Sequence, residues 1–175
     1  MTEQVRYEVE RIVDGVEIRR YPALILATVR EMRDDDAFGI LFRYISGANR
    51  SPRRSGGERI PMTAPVLSQR GSFSFAVPPS YSMATAPRPA DPRSFLEQIP
   101  DRLVAVLRFS GLARPEDIEA KSARLVDVLA RNELYWVGQP FVMRYNPPFT
   151  PGFMRRNEIG LELAPTARRT HNLAA

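Results

Sequence analysis

The chain has 175 residues, 43% hydrophobic and 26% charged, with a formal net charge of +5 and no cysteine. That length and balance suit one globular domain with a sizeable core, and the composition excludes disulfides and thiolate chemistry; no run of about 18 apolar residues is present to span a bilayer as a helix. All basic residues but Lys121 are arginine and most are interspersed with acids, so the charge reads as a solvated surface and not as a nucleic-acid stripe.

The elements follow in chain order. "RYEVERIV" and "VEIRRY" flank the two-residue turn "DG" and predict a hairpin. The first stretch, "MTEQVRYEVERIV", carries charge throughout and has no apolar signal core, which gives the expectation of a cytoplasmic protein. "ALILATVRE" (23–31) is a strand. "DDD" at 34–36 offers helix N-caps and first-turn acids, "AFGILFRYIS" continues the helix, and Gly47 stands where it would stop. The arginine cluster in "NRSPRRSGGER", with Ser, Pro and Gly between its charges, reads as an exposed loop. "RIPMTAPVLSQ" and "SFSFAVP" are strands joined at "RGS", and the Pro-, Ala- and Ser-rich residues 79–100 read as a linker.

The same order then returns. "RLVAVLRFSG" (102–111) is a strand, 114–132 is a helix opened by Pro115, and "QPFVMRY" and "NEIGLEL" are two further strands. A β-α-β-β unit therefore occurs twice, over about 5–78 and 101–164, within a single domain over 1–175 that ends in a tail, 165–175. An α+β sheet or barrel with two outer helices follows.

The two helices differ in their apolar faces. At about 100° per residue, Ile118, Leu125, Val126 and Leu129 of the second make one stripe and leave a charged outer face. In the first, Ala37, Ile40, Leu41, Tyr44 and Ile45 already make such a stripe, while Phe38 and Phe42 fall on its flank one turn apart. A loop or a ligand could cover that flank, and the pattern leaves both open.

"YNPPFTPGFMRRNEIGLEL" (145–163) places Pro147, Pro148 and Pro151 where neither a helix nor a central strand can pass. The result is a stiff loop carrying Tyr145, Phe149 and Phe153, which either covers the core or walls a binding surface. Arg155, Arg156 and Glu158 could bind an anion, but read first as an exposed ion pair fixing that loop to the last strand. With His171 the single histidine, in the tail, no His/Cys metal cluster or Ser–His or Cys–His pair can form, and no phosphate-binding glycine motif occurs. No catalytic and no metal-ligating residue is assigned, and nothing demands an enzyme.

"YISGANR" (44–50), "RIPMTAPV" (59–66) and "YNPPFTPGFMRRNEIGLEL", in that order, resemble the SOUL haem-binding protein family, over nearly the whole chain from about Tyr7 to Leu163. The resemblance implies duplicated β-α-β-β units forming a distorted antiparallel β-barrel flanked by two helices, like bacterial effector-binding domains. It also implies haem or protoporphyrin as a non-catalytic ligand in a shallow apolar cleft between the first helix and the proline-rich loop. Carried onto this chain, the contacts fall on Phe38, Leu41, Phe42, Arg43 and Ile45 of the helix and Tyr145 and Phe149 of the loop. Thr150 stands where relatives carry a basic residue, and phenylalanines replace methionines on the helix flank. The expected role is buffering or transport of a small-molecule tetrapyrrole by a monomer that binds neither nucleic acid nor membrane. Two other readings stay open: an effector-binding module for another flat apolar anion, and an iron-removing enzyme acting on tetrapyrroles.

Overall fold

Local chemistry starts and stops each element. In the first turn Asp14 and Gly15 both take positive φ (47° and 79°), the geometry that lets a two-residue turn join twisted strands, here β1 (Glu8–Val13) and β2 (Val16–Tyr21). Strand β3 (Leu24–Arg30) leads into helix α1 (Asp34–Ile45), whose three acids, Asp34 to Asp36, occupy the first turn rather than the cap, which is Arg33. Strands β4 (Val66–Gln69) and β5 (Ser72–Ala76) complete the first unit. The chain then supplies β6 (Ser94–Ile99), β7 (Arg102–Phe109), α2 (Pro115–Arg131), β8 (Trp136–Arg144) and β9 (Asn157–Leu163). The computed structural model describes residues 2–165; His171 and all of the expected tail except Pro165 lie outside them.

The nine strands form one antiparallel sheet in the order β6-β3-β5-β4-β8-β9-β7-β2-β1. Strands β3-β5-β4 and β7-β9-β8, the strands of the two β-α-β-β units, face each other across the β4–β8 seam, so the strand order is symmetric about it. The strands that precede each copy are exchanged: β2 leads into β3 but pairs with β7, whereas β6 leads into β7 but pairs with β3.

Two expectations need correction. Residues 79–100 are not only a linker, because Ser94–Ile99 pairs with Leu24–Val29 of β3; prolines at 92 and 100 bound a strand that composition alone disguised. The sheet also does not close into a barrel. Strand β1 is almost wholly exposed and its outer edge does not pair with β6, so the sheet ends in two free edges.

Three apolar clusters hold the layers together. Leu125, Val128 and Leu129 of α2 pack on Ala105, Leu107, Ile159 and Leu161. Ala37, Ile40, Leu41 and Tyr44 of α1 pack on Ala27, Val29, Phe73 and Phe75. The third cluster lies on the opposite face, where Leu26 and Ala76 of the first copy meet Val104, Val106, Phe141 and Met143 of the second. Contact between halves on that face requires a strongly curled sheet. Gly160 permits it: a Cβ there would come within 2.6 Å of the Phe141 ring.

Candidate functional site

The flank of α1 stays open. Phe38 and Phe42 stack with ring centroids 5.9 Å apart and planes 14° from parallel, and they remain 37% and 52% exposed. Phe38 also sets its edge against Phe75 and Phe73, at 5.4 and 6.5 Å. Exposed aromatic rings held in place by buried ones form a rigid apolar platform.

Beside Phe38 a cleft of about 350 Å³ opens between the first turn of α1 and the proline-rich loop. Phe38, Val66, Phe73 and Pro148 give it apolar walls, and Asp34, Asp35, Arg144 and Asn146 give it polar ones. Arg144 comes from the end of β8, donates to Ser68 Oγ at 2.6 Å and lies 4.0 Å from Asp34 Oδ2. Burial pushes its pKa below the ordinary arginine value and the neighbouring Arg155 adds to that, while Asp34 only partly offsets them. Burial likewise raises Asp34 above the usual aspartate value, against the pull of Arg144. An anion placed on Arg144 would therefore relieve a cation short of compensation.

The loop is stiff for two reasons. The prolines limit its backbone, and Arg155 clamps it from inside, donating from Nε to Thr150 O at 2.7 Å and from Nη2 to Pro148 O. Its base is closed by Tyr145 N donating to Arg156 O and Arg156 N donating to Asn146 Oδ1. Phe149 and Phe153, 87% and 82% exposed, project from it.

Beneath the loop lies a buried charge network. Arg19 donates two bonds of 2.8 Å to the two oxygens of Glu158, and Arg156 donates to Glu158 Oε1 and to the Tyr7 hydroxyl. Arg19 lies over the Tyr7 ring at 4.0 Å and Arg156 over the Tyr145 ring at 3.9 Å. Glu158 is fully buried, which corrects the expectation of an exposed pair. Burial works to raise its pKa, but hydrogen bonds from Arg19 and the charges of both arginines outweigh that and hold it below the ordinary value.

The seven residues inferred from the resemblance separate into groups. Phe38 lines the cleft, Phe42 continues its platform, and Phe149 sits exposed on the loop one residue beyond Pro148, which lines the cleft. Leu41 and Ile45 are core instead, at 0% and 9% exposure, because they face the sheet within the buried stripe. Arg43 is exposed beside Gly39, one turn earlier on the helix, and does not line the cleft. Tyr145 packs into the inner cluster under Arg156 and is not part of the cleft. Its hydroxyl is buried with no hydrogen-bond partner among the described residues, and burial, with Glu158 nearby, keeps its pKa well above the ordinary tyrosine value.

Sequence reading missed Arg144, Val66, Phe73 and Asp34. Alternation along "QPFVMRY" carried a usable signal: Phe141 and Met143 face inward and Arg144 faces the helix side.

Three comparisons with known proteins bear on this arrangement. The sequence model of the family described as "SOUL heme-binding protein" matches residues 2–162. No curated protein sequence matches the chain. Among solved structures, the EcmrR C-terminal domain superposes with a TM-score of 0.61 at 12% identity, covering 90% of this chain and 98% of that one. EcmrR in a complex with DNA gives 0.61 at 12% identity, over 85% of this chain and 56% of that one. A hydrolase from Listeria innocua gives 0.56 at 10% identity, over 89% and 94%. At such identities the likeness is one of fold. The expected effector-binding-domain-like fold is met in its two helices and large antiparallel sheet, and not in barrel closure.

Proposed function

The chain belongs to the SOUL haem-binding protein family, and on that premise we propose that it buffers or carries haem or protoporphyrin, held mainly by apolar burial against α1. The observation that carries this reading is the stacked Phe38–Phe42 pair left exposed beside a cleft that Arg144 lines. Phe38, Phe42 and Val66 would hold the flat ring, Pro148 and Phe149 would face it from the loop, and Arg144 would take a propionate. A tetrapyrrole fits this set as an apolar anion. No strong iron ligand joins it among the described residues: His171 lies outside them, Tyr145 points into the inner cluster, and Met32 and Met62 pack against the α1 core. Iron chemistry, where iron is present, belongs to the bound group; the chain's own residues bind, orient and shield it.

The energetics give a modest affinity. Hiding about 200 Å² of apolar ring at about 25 cal/mol per Å² contributes about 5 kcal/mol, before association costs and the gain at Arg144. On these figures binding is weaker than micromolar, with little metal preference.

Paired absorbance and fluorescence titrations test this. Metal-free protoporphyrin is expected to bind within about tenfold of haemin, a difference of about 1.4 kcal/mol. Phe42→Glu, at an exposed position, should weaken both by at least about tenfold while the circular dichroism melt stays in place, because it sets a carboxylate against an apolar anion. Haemin tighter by a hundredfold or more would sink the ligand-free reading. Conversion of haemin to metal-free porphyrin would favour the enzyme.

A further inference from the structure

We propose a second ligand site at the opposite end of the β3–β5 strand pair, shaped for a small apolar molecule with one anionic end, of the monocarboxylate class. A cavity of about 370 Å³ lies there, between the turn joining β2 to β3 and the segment that follows β5. Its volume is in the range of small-molecule pockets. Leu24, Ile25, Val77 and Met83 give it apolar walls, and prolines at 22 and 78 fix the backbone on either side.

Thr63 supplies the specific signal. It lines the cavity at 2% exposure, and its hydroxyl is buried without a hydrogen-bond partner among the described residues. The hydroxyl has no exposed surface of its own in the free protein; a rotation of the side chain that turned it into the cavity would let a ligand's polar end recover the cost of leaving it unpaired. The sign of the ligand follows from the wall. Among the described residues that line the cavity, Arg6 is the one that carries charge, and no carboxylate opposes an anion. Arg6 would meet the carboxylate, and Thr63 would donate to it.

This site does not depend on the tetrapyrrole reading, because the two cavities share no lining residue. Phe73 borders one and Val77 the other, four residues apart along the chain, or about 13 Å in extended geometry.

The test uses the full-length ¹⁵N-labelled protein, titrated with octanoate and separately with 1-octanol. Octanoate should shift the amides of residues 4–6, 23–25, 63 and 80–83 and leave those of 34–38 and 144–146 in place. Octanol should bind at least about threefold more weakly, and Arg6→Gln should remove that difference. Thr63→Val should weaken octanoate by about threefold to tenfold and raise the Tm of the free protein by about 2–4 °C. If that variant fails to fold, Met83→Trp, which fills the cavity from a partly exposed position, should abolish the shifts. No shifts up to roughly 10 mM, or shifts centred on the α1 cleft, would overturn the proposal. So would a Thr63→Val protein with lowered Tm and unchanged octanoate affinity, which would mean that ordered water serves the hydroxyl.

Discussion

The two copies of the β-α-β-β unit have the same strand order and opposite surfaces. Helix α2 buries Leu125, Val128 and Leu129 and turns charge outward, ending in an Arg131–Asp127 pair at 2.9 Å. Helix α1 buries an equivalent stripe and keeps two stacked phenylalanines exposed beside it. The second copy also contains Glu158 and Arg156, which with Arg19 form the buried charge network. Helix α2 is finished as a scaffold, and helix α1 leaves apolar surface uncovered at the cost of solubility, beside a cleft that Arg144 and Pro148 of the second copy complete. On the proposed function, stability rests on α2 and the buried charge network, and binding on the α1 flank.

The strongest way to break that division is at Glu158. Glu158→Leu removes the buried carboxylate shared by Arg19 and Arg156, leaving Arg19 only its ion pair with Glu17 at 2.6 Å among the described residues, and should cost about 3–5 kcal/mol in urea melts, while porphyrin affinity per folded molecule stays unchanged. The same carboxylate sets the acid response. Because its folded pKa lies below the unfolded value, its contribution is fully present above about pH 4.5 and is lost as pH falls through the lowered value. The leucine variant should therefore show a flatter acid limb. A parallel limb in the variant would place acid sensitivity elsewhere.

A matched pair of truncations sharpens the contrast. Leu129→Ala, at a fully buried position of α2, should destabilise by about 2–5 kcal/mol. Phe42→Ala, half exposed on α1, should cost under about 1 kcal/mol and appear chiefly as weaker porphyrin binding. Equal losses of stability would mean that Phe42 is a core residue.

The smallest expected effect tests the electrostatics of the cleft. Asp34 lies 4.0 Å from Arg144 and competes for it. Asp34→Asn should tighten binding of an anionic porphyrin by about twofold to fivefold, the worth of one partly exposed ion pair, and leave an uncharged porphyrin ester unaffected. Tighter ester binding would point to packing instead.

Much of this architecture was legible locally. Helical periodicity separates Phe38 and Phe42 from the α1 stripe, and three prolines mark the stiff loop, because both signals depend on neighbours a few residues away. What could not be read depends on pairing across the chain. Whether Ser94–Ile99 is a strand is decided by the free edge of β3, about 70 residues earlier. Barrel closure depends on whether two distant edges meet. Tyr145 and Arg144, adjacent in sequence, go to opposite faces, and only alternation counted along β8 shows which one reaches the cleft.

The exchanged strands have a consequence for how the chain can be divided. A cut in the segment between β5 and β6 leaves each fragment holding a strand that completes the other's sheet: β2 completes the partner's β7, and β6 completes the partner's β3. Neither fragment alone satisfies its own outermost backbone donors and acceptors, and each exposes a long unpaired edge. The two pieces are therefore expected to complement each other when the chain is divided there. Function would return only when both fragments are supplied together, with three strand junctions, β2–β7, β6–β3 and β4–β8, re-forming at once.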